Sequence, residues 1–183
     1  SKLTIAEENW VLKILESQHS IIIEPWYKKI VDLSYQAKVN DDGKYINLCS
    51  TRFITDSRGQ YKGTIVGKKT DDLPKNVTKF LYKKYSTFSN IEDVLNFVSE
   101  KVGEKLVEHK FYGPFGIDAF IYEDSTSEYG YKLKFLSEIN PRYTMGRVAL
   151  EISKRIQTGA FAVWVHLRIS DIIKNSQFNS LAE

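Results

Sequence analysis

Residues 135–147 read FLSEINPRYTMGR and decide how the rest of the chain is interpreted. Alternate side chains of a strand point to opposite faces, so Glu138 and Asn140 share one face. A carboxylate and an amide oxygen on one face make a hard oxygen site of the kind that Mg²⁺ prefers. Pro141 ends the strand because it lacks the N–H that a ladder needs, and the donors of Arg142 suit a phosphate or a carboxylate. The alternative interpretation is an exposed strand end with ordinary polar residues.

A second predicted strand, residues 113–122, carries one acid at the centre of an apolar run. That acid is Asp118, and an aspartate is depleted in strands and costly to bury without a partner. A turn-forming run connects this strand to the one that leads into Glu138. Two neighbouring antiparallel strands bring Asp118 close to Glu138 and Asn140. Three oxygen ligands on one sheet face, beside Arg142, predict a metal–phosphate site.

Three motifs in this order resemble the catalytic half of the ATP-grasp superfamily. They are IIIEPWY at 21–27, GIDAF at 116–120 and SEINPR at 137–142, and the resemblance covers roughly residues 21–156. In that family, an acid on one strand and a Glu-x-Asn on the next hold Mg²⁺ against the phosphates of ATP. The apolar strand that ends in Glu is the linker that touches adenine.

The resemblance implies a role for each matching residue. The implied ligands for Mg²⁺ (or Mn²⁺) are Asp118, Glu138 and Asn140. The implied ATP-binding residues are Glu24, Trp26, Tyr27 and Asp32, of which Asp32 meets the ribose. Arg142 is implied to be catalytic and to bind the substrate carboxylate together with Thr144 and Arg147. Trp26 and Tyr27 can equally be packing residues. Arg147 can equally be a surface residue of the following helix.

The implied activity is an ATP- and Mg²⁺-dependent carboxylate–amine (or thiol) ligase that forms an acyl phosphate. Two features depart from the family. Gly116 stands where several members have a basic residue, and no glycine precedes Gly43, although the family's first subdomain supplies a Gly-rich loop and a phosphate-binding lysine. We therefore expect the C-terminal part of an ATP-grasp domain, inactive alone, whose partner is the N-terminal half of the same polypeptide.

Two other functions remain open from the sequence. The first is a non-catalytic nucleotide-binding or protein-interaction domain derived from the same fold. The second is a nucleic-acid binder that uses the lysines and tyrosines of residues 75–85, although a solvated helix face is the favoured interpretation of these residues.

Composition narrows the class of protein. The 183 residues are 42% hydrophobic and 27% charged, which is ordinary for a globular domain. A net charge of +3 does not demand a nucleic-acid or membrane partner, and we expect neither. The single Cys49 excludes an internal disulfide and suits a reducing compartment, the cytoplasm.

The pattern along the chain predicts one α+β domain over 1–183, an antiparallel sheet flanked by helices. Its predicted parts are a leading helix (1–20), the adenine-linker strand and an antiparallel meander (21–67), a connector (68–90), a helix with the site strands and a substrate-side helix (91–170), and a tail (171–183). Thr4 caps the first helix, and Trp10 and Ile14 belong to its predicted core stripe. Residues 21–23 are predicted as a buried strand. Arg52 is predicted to be solvated or to face a ligand.

Overall fold

Antiparallel strands form one sheet in the computed structural model, which describes residues 2–67, 70, 72–157, 159–167 and 169. The elements in chain order are α1 (Ile5–Gln18), β1 (Lys29–Val39), β2 (Tyr45–Thr55), β3 (Tyr61–Gly67), α2 (Lys75–Leu81), α3 (Ile91–Glu108), β4 (Gly113–Glu123), β5 (Tyr131–Asn140), α4 (Met145–Ser153) and β6 (Phe161–Val165). The sheet order is β5-β4-β1-β2-β3-β6, and every neighbouring pair is antiparallel. The predicted α+β class is therefore confirmed.

The main apolar core lies between α3, α2 and one face of the sheet. Leu95 of α3 and Phe80 of α2 are buried together with residues of the central strands, such as Leu33 and Ile117. Asn90 caps α3 by accepting a hydrogen bond from the N–H of Asp93, as its position in the sequence predicts. Burial of these side chains away from water is the main force that holds α3 on the sheet.

Helix α4 lies against the opposite face. Gly146 in its first turn is in close contact with Gln36 on β1 and Thr51 on β2. Polar side chains of the central strands therefore point toward α4, whereas apolar ones point toward α3. This division places the polar face of the sheet beside the N-terminus of α4.

The prediction for α1 is half correct. The helix begins after Thr4, whose side chain and that of Glu7 form a capping box. The expected burial of its apolar stripe is wrong, because α1 buries none of its residues and Trp10 is 60% exposed. Hydrophobic spacing indicates which face of a helix is apolar, but it does not indicate which element covers that face.

Two further expectations are corrected by the structure. Residues 21–23 form no strand, and Ile22 and Ile23 are exposed. The expected solvated position of Arg52 is wrong, since its buried guanidinium makes a bidentate ion pair with Asp72 of the connector. Residues 161–165 pair with β3 as β6. The predicted tail at 171–183 lies outside the described residues.

Within the described ranges, every helix is too short or too polar to span a bilayer.

Candidate functional site

Strands β1, β4 and β5 bring the predicted metal ligands together on one sheet face. Asp118 on β4 lies opposite Glu138 on β5 and opposite Ser34 on β1. Asn140 lies opposite Gly116, two residues along the same face. The predicted proximity of the two carboxylates and the amide is therefore found in the structure.

Hydrogen bonds link the amide of Asn140 to its charged neighbours. Its Nδ2 donates to Oδ2 of Asp118 at 3.2 Å, and its Oδ1 accepts from Nη2 of Arg142 at 2.8 Å. A positive guanidinium thus lies beside a carboxylate cluster and contacts the oxygen that would face a metal. Arg142 also donates to the carbonyl of Tyr143 at 3.3 Å.

The environment of Asp118 opposes its ionisation. Burial raises the pKa of this carboxyl above its ordinary value, and the neighbouring Glu138 carboxylate raises it further. Hydrogen bonds from Ser34 and Asn140 and the charge of Arg142 act in the opposite direction. A buried carboxylate of raised pKa beside a second carboxylate is favourable for a bound cation, because the cation supplies the missing positive charge.

These residues line an open cavity of about 340 Å³, which falls within the size range of small-ligand sites. One wall is the row of Asp118, Glu138, Asn140 and Arg142. The N-terminus of α4 and the polar and aromatic side chains of β2 and β3 complete the cavity, with Thr144, Met145, Gly146, Phe53, Thr55, Tyr61 and Thr64 among the lining residues. The cavity therefore has one wall rich in carboxylates with Arg142 beside them, and Lys29 and Asp32 of β1 also line it.

A second, larger cavity of about 890 Å³ adjoins the first. Lys29 and Asp32 line both cavities. The remaining residues predicted to bind ATP, Glu24, Trp26 and Tyr27, line only the second one. A ligand that occupied both cavities would therefore lie across the boundary that Lys29 and Asp32 share.

The four predicted ATP-binding residues have different surroundings. Glu24 forms an ion pair with Lys134, and the ring of Tyr27 packs on Tyr122 with a centroid distance of 4.2 Å. Trp26 is 90% exposed and so does not pack in the core. Asp32 is buried and accepts hydrogen bonds from Lys29 Nζ at 3.2 Å and from Thr55 Oγ1 at 3.0 Å.

Of the residues predicted to bind the carboxylate substrate, the structure places two in the cavity. Arg142 and Thr144 line it, and the hydroxyl of Thr144 caps α4 by accepting from the N–H of Arg147 at 3.1 Å. The side chain of Arg147 points elsewhere, with Nε 3.4 Å from the carboxylate of Glu151. Its Nη1 is buried without a hydrogen-bond partner among the described residues.

Some residues of the site were missed from the sequence. Ser34 lines the cavity and Gln36 lies directly beneath α4, on the same face of β1 as Asp32. The signal was present, because Asp32, Ser34 and Gln36 alternate with Leu33 and Tyr35 at the period of a strand. Lys29, at the start of the same strand, was also missed.

The donor set fits a hard divalent cation. Two carboxylates, Asp118 and Glu138, and the amide oxygen of Asn140 are ligands that Mg²⁺ and Mn²⁺ accept. No group of three or more His, Cys, Asp or Glu that could hold a metal occurs in the described part of the chain. The predicted set has only two such residues, with an amide as its third ligand.

The nucleic-acid hypothesis concerns a separate surface. Lys83, one of the lysines at 75–85, lies over the rings of Phe80, Tyr85 and Tyr129 at 4.7, 4.6 and 4.5 Å from their centroids. This lysine therefore packs on aromatic side chains of its own chain.

No protein-family model matches the chain, and no curated protein matches its sequence at a significant level.

Proposed function

We propose that the chain is the metal- and nucleotide-binding part of an ATP- and Mg²⁺-dependent carboxylate–amine (or thiol) ligase of the ATP-grasp type. The observation that carries the proposal is the cross-strand group of Asp118, Glu138 and Asn140, with Arg142 beside it in one cavity. Phosphoryl transfer depends mainly on positioning and charge neutralisation, and this group offers both.

The two adjoining cavities support a nucleotide as the ligand. In this proposal the base lies beside Trp26 and Tyr27, the ribose lies near Asp32, and the phosphates extend toward the acidic row. Lys29 lines both cavities and is placed to contact the phosphates, which carry the negative charge that its ammonium group balances.

The chemistry follows from the charges around the cavity. Asp118, Glu138 and Asn140 would hold Mg²⁺, which when bound neutralises phosphate charge. Arg142 and the N-terminus of α4 would orient the substrate carboxylate, whose oxygen attacks the γ-phosphorus and displaces ADP to give an acyl phosphate. An amine or a thiol then attacks the acyl carbon and displaces inorganic phosphate.

A second subdomain is part of this proposal. Trp26 is 90% exposed, and α1 buries none of its residues, so both present apolar surface that a covering element would remove from water. We expect the N-terminal half of an ATP-grasp domain to provide that cover and the missing phosphate-binding groups. The chain alone should bind nucleotide weakly and turn over little ATP.

One observation favours a non-catalytic relative. A Cβ atom at Gly116 would lie 2.8 Å from Cγ2 of Thr144, so there is no room here for the basic side chain found in several family members. A nucleotide-binding or protein-interaction domain without ligase activity is therefore the second candidate function.

Calorimetric titration tests the proposal directly. Wild-type protein is titrated with a non-hydrolysable ATP analogue with and without Mg²⁺, beside Glu138→Gln and the control Glu108→Gln, which changes an exposed carboxylate on α3. We expect Mg²⁺-dependent binding in the wild type and the control, and its loss in Glu138→Gln. Binding that is equal in all three proteins would refute the site.

Hydroxylamine separates the two candidate functions. It traps an acyl phosphate as a hydroxamate, so the chain joined to its N-terminal half should form hydroxamate from ATP and its carboxylic acid substrate. Metal-dependent nucleotide binding without hydroxamate, across a panel of acids, would favour the non-catalytic relative.

A further inference from the structure

Gln36 is buried beneath the candidate site without lining it. Its side chain is on β1, and the residue is only 1% exposed. It lies between the first turn of α4 and the central strands, and it is absent from the residues around either cavity. A fully buried amide must have its hydrogen bonds satisfied by the protein, so its partners determine its orientation.

Those partners fix the direction of the amide. Nε2 of Gln36 lies 3.3 Å from the carbonyl oxygen of Ser34 and 2.8 Å from Oγ of the same residue. A carbonyl can only accept, so the NH₂ group must face Ser34. Oε1 is then left to accept from the hydroxyl of Thr144, at 2.5 Å.

These hydrogen bonds form a chain, called the relay below, in which each group donates to the next one. The N–H of Arg147 donates to Thr144, whose hydroxyl donates to Gln36, whose amide donates to Ser34. Because the oxygen of Ser34 already accepts this bond, its single hydrogen is free to donate to the carboxylate of Asp118, its directly opposite cross-strand partner on β4. The relay thus runs from the N-terminus of α4 to a predicted metal ligand.

Two glycines make the close packing around this relay possible. A Cβ atom at Gly146 would lie 2.5 Å from Nε2 of Gln36, and one at Gly116 would lie 3.3 Å from its Oε1. No side chain other than hydrogen fits at Gly146 without moving the amide. The backbone at Gly116 and at Gly146 therefore confines the side chain of Gln36 from two sides.

We propose that Gln36 is a positioning residue that fixes the Ser34 hydroxyl on Asp118 and thereby sets the affinity of the site for its metal. This inference rests on the proposed function. Groups that hydrogen-bond to metal ligands orient them, and their removal commonly lowers metal affinity about 10- to 100-fold. Gln36 acts through Ser34 and has no contact with the metal itself.

The test compares two affinities for one protein. Calorimetry gives the Kd of a non-hydrolysable ATP analogue loaded with Mn²⁺ and the Kd of the same analogue with EDTA. The Kd with EDTA divided by the Kd with Mn²⁺ isolates the contribution of the metal, and a general loss of stability does not change this ratio. In Gln36→Met, which preserves the volume but removes the hydrogen bonds, we expect the ratio to fall about 10-fold, chiefly through the Mn²⁺-loaded form.

Two further variants make the result specific. Ser34→Ala should reduce the ratio similarly, and the Ser34→Ala/Gln36→Met double variant should lose little more than either single change, because both act through one hydrogen bond. Ser50→Ala is the matched control. It removes the partly buried hydrogen bond from the Ser50 hydroxyl to Glu92 on α3, should lower stability and should leave the ratio unchanged.

Each outcome decides a different question. A wild-type ratio near one would refute the proposed metal site and this inference together. A wild-type ratio well above one that is unchanged in Gln36→Met would refute the role of Gln36 and leave the proposed function standing. Fully additive losses in the double variant would also contradict a relay from Gln36 through Ser34.

Discussion

Asp118 and Glu138 lie directly opposite each other on antiparallel strands β4 and β5, so two carboxylates share one wall of a cavity. Burial and the neighbouring Glu138 carboxylate both raise the pKa of Asp118. The fold compensates in part with the amide of Asn140 and the guanidinium of Arg142. This arrangement favours a bound cation, and it lowers the stability of the folded protein when no cation is bound.

Asp118→Asn should stabilise the metal-free protein at neutral pH. Burial and Glu138 raise the pKa of Asp118, so the folded state favours the protonated carboxyl and loses stability as pH rises through that pKa. The amide that replaces the carboxyl is neutral at every pH, so the variant does not lose this stability. A gain on the order of 1 kcal/mol in the free energy of unfolding would raise Tm by about 2–4 °C. Below the ordinary carboxyl pKa of 3.8, the two proteins should have similar Tm values.

Thermal unfolding across this pH range checks the sign of the effect. A variant that is less stable than the wild type at neutral pH would contradict the unfavourable ionisation of Asp118. The same substitution should abolish Mg²⁺-dependent nucleotide binding, because it removes a charged ligand.

Trp26 should report nucleotide binding by its fluorescence. Its ring is 90% exposed and lines the larger cavity, so a stacked base would change its surroundings strongly. We expect a change in emission when the Mg²⁺-loaded ATP analogue is added, and loss of that change in Trp26→Phe with about 2- to 10-fold weaker binding. Trp10→Phe, an exposed tryptophan on α1, is the control and should retain the signal. A full signal in Trp26→Phe would exclude base contact at this residue.

The Arg52–Asp72 ion pair should stabilise the fold through the connector between β3 and α2. Arg52 Nη1 lies 2.7 Å from Asp72 Oδ1 and the second guanidinium nitrogen contacts Oδ2, while the Arg52 side chain is only 8% exposed. Asp72→Asn should lower the free energy of unfolding by about 1.5–3 kcal/mol, as expected for a charged hydrogen bond. Urea unfolding measures this difference. Glu104→Gln, which breaks an exposed ion pair with Lys101 on α3, should cost much less.

The pH dependence of this pair has the opposite sign to that of Asp118. The hydrogen bonds from Arg52 hold the pKa of Asp72 below its usual value. The stabilisation is therefore present above the ordinary carboxyl pKa and is lost as pH falls through the folded one. A cost of Asp72→Asn that stays constant into acid would contradict this assignment.

The central site was predictable because strand period and connectivity determine it. Asp118 and Glu138 lie on consecutive strands joined by a short turn, and consecutive antiparallel strands usually pair. Gln36 was missed because its role depends on its contact with Thr144, beside α4. Only the folded chain places Thr144, more than a hundred positions away in sequence, within hydrogen-bond reach of its amide.

The errors in the predicted fold have a related cause. Ile22 and Ile23 form an apolar run that suggests a buried strand, yet both are exposed. Burial requires a covering partner, and a local pattern carries no information on whether one is present. Arg52 shows the reverse case, since a charged residue is buried because Asp72, twenty positions away, provides its partner.

Two helical glycines should respond to alanine in opposite ways. Alanine in a helix interior is favoured over glycine by roughly 0.5–1 kcal/mol when there is space for it. At Gly103 on α3 the nearest atom to an added Cβ is 3.4 Å away, an ordinary contact, so Gly103→Ala should raise the free energy of unfolding by up to about 1 kcal/mol. At Gly146 on α4 the added Cβ would lie 2.5 Å from Gln36 Nε2 and 2.6 Å from Thr51 Oγ1. Gly146→Ala should therefore lower the free energy of unfolding by about 1–3 kcal/mol.

The opposite signs test whether α4 is pressed against Gln36. Both variants make the same chemical change in a helix, and opposite signs would reflect the space around each glycine. Urea unfolding with equal m-values would show that both changes act on the folded state. A stabilising Gly146→Ala would mean that α4 stands further from the sheet, and the relay from Thr144 to Asp118 could not then be close-packed.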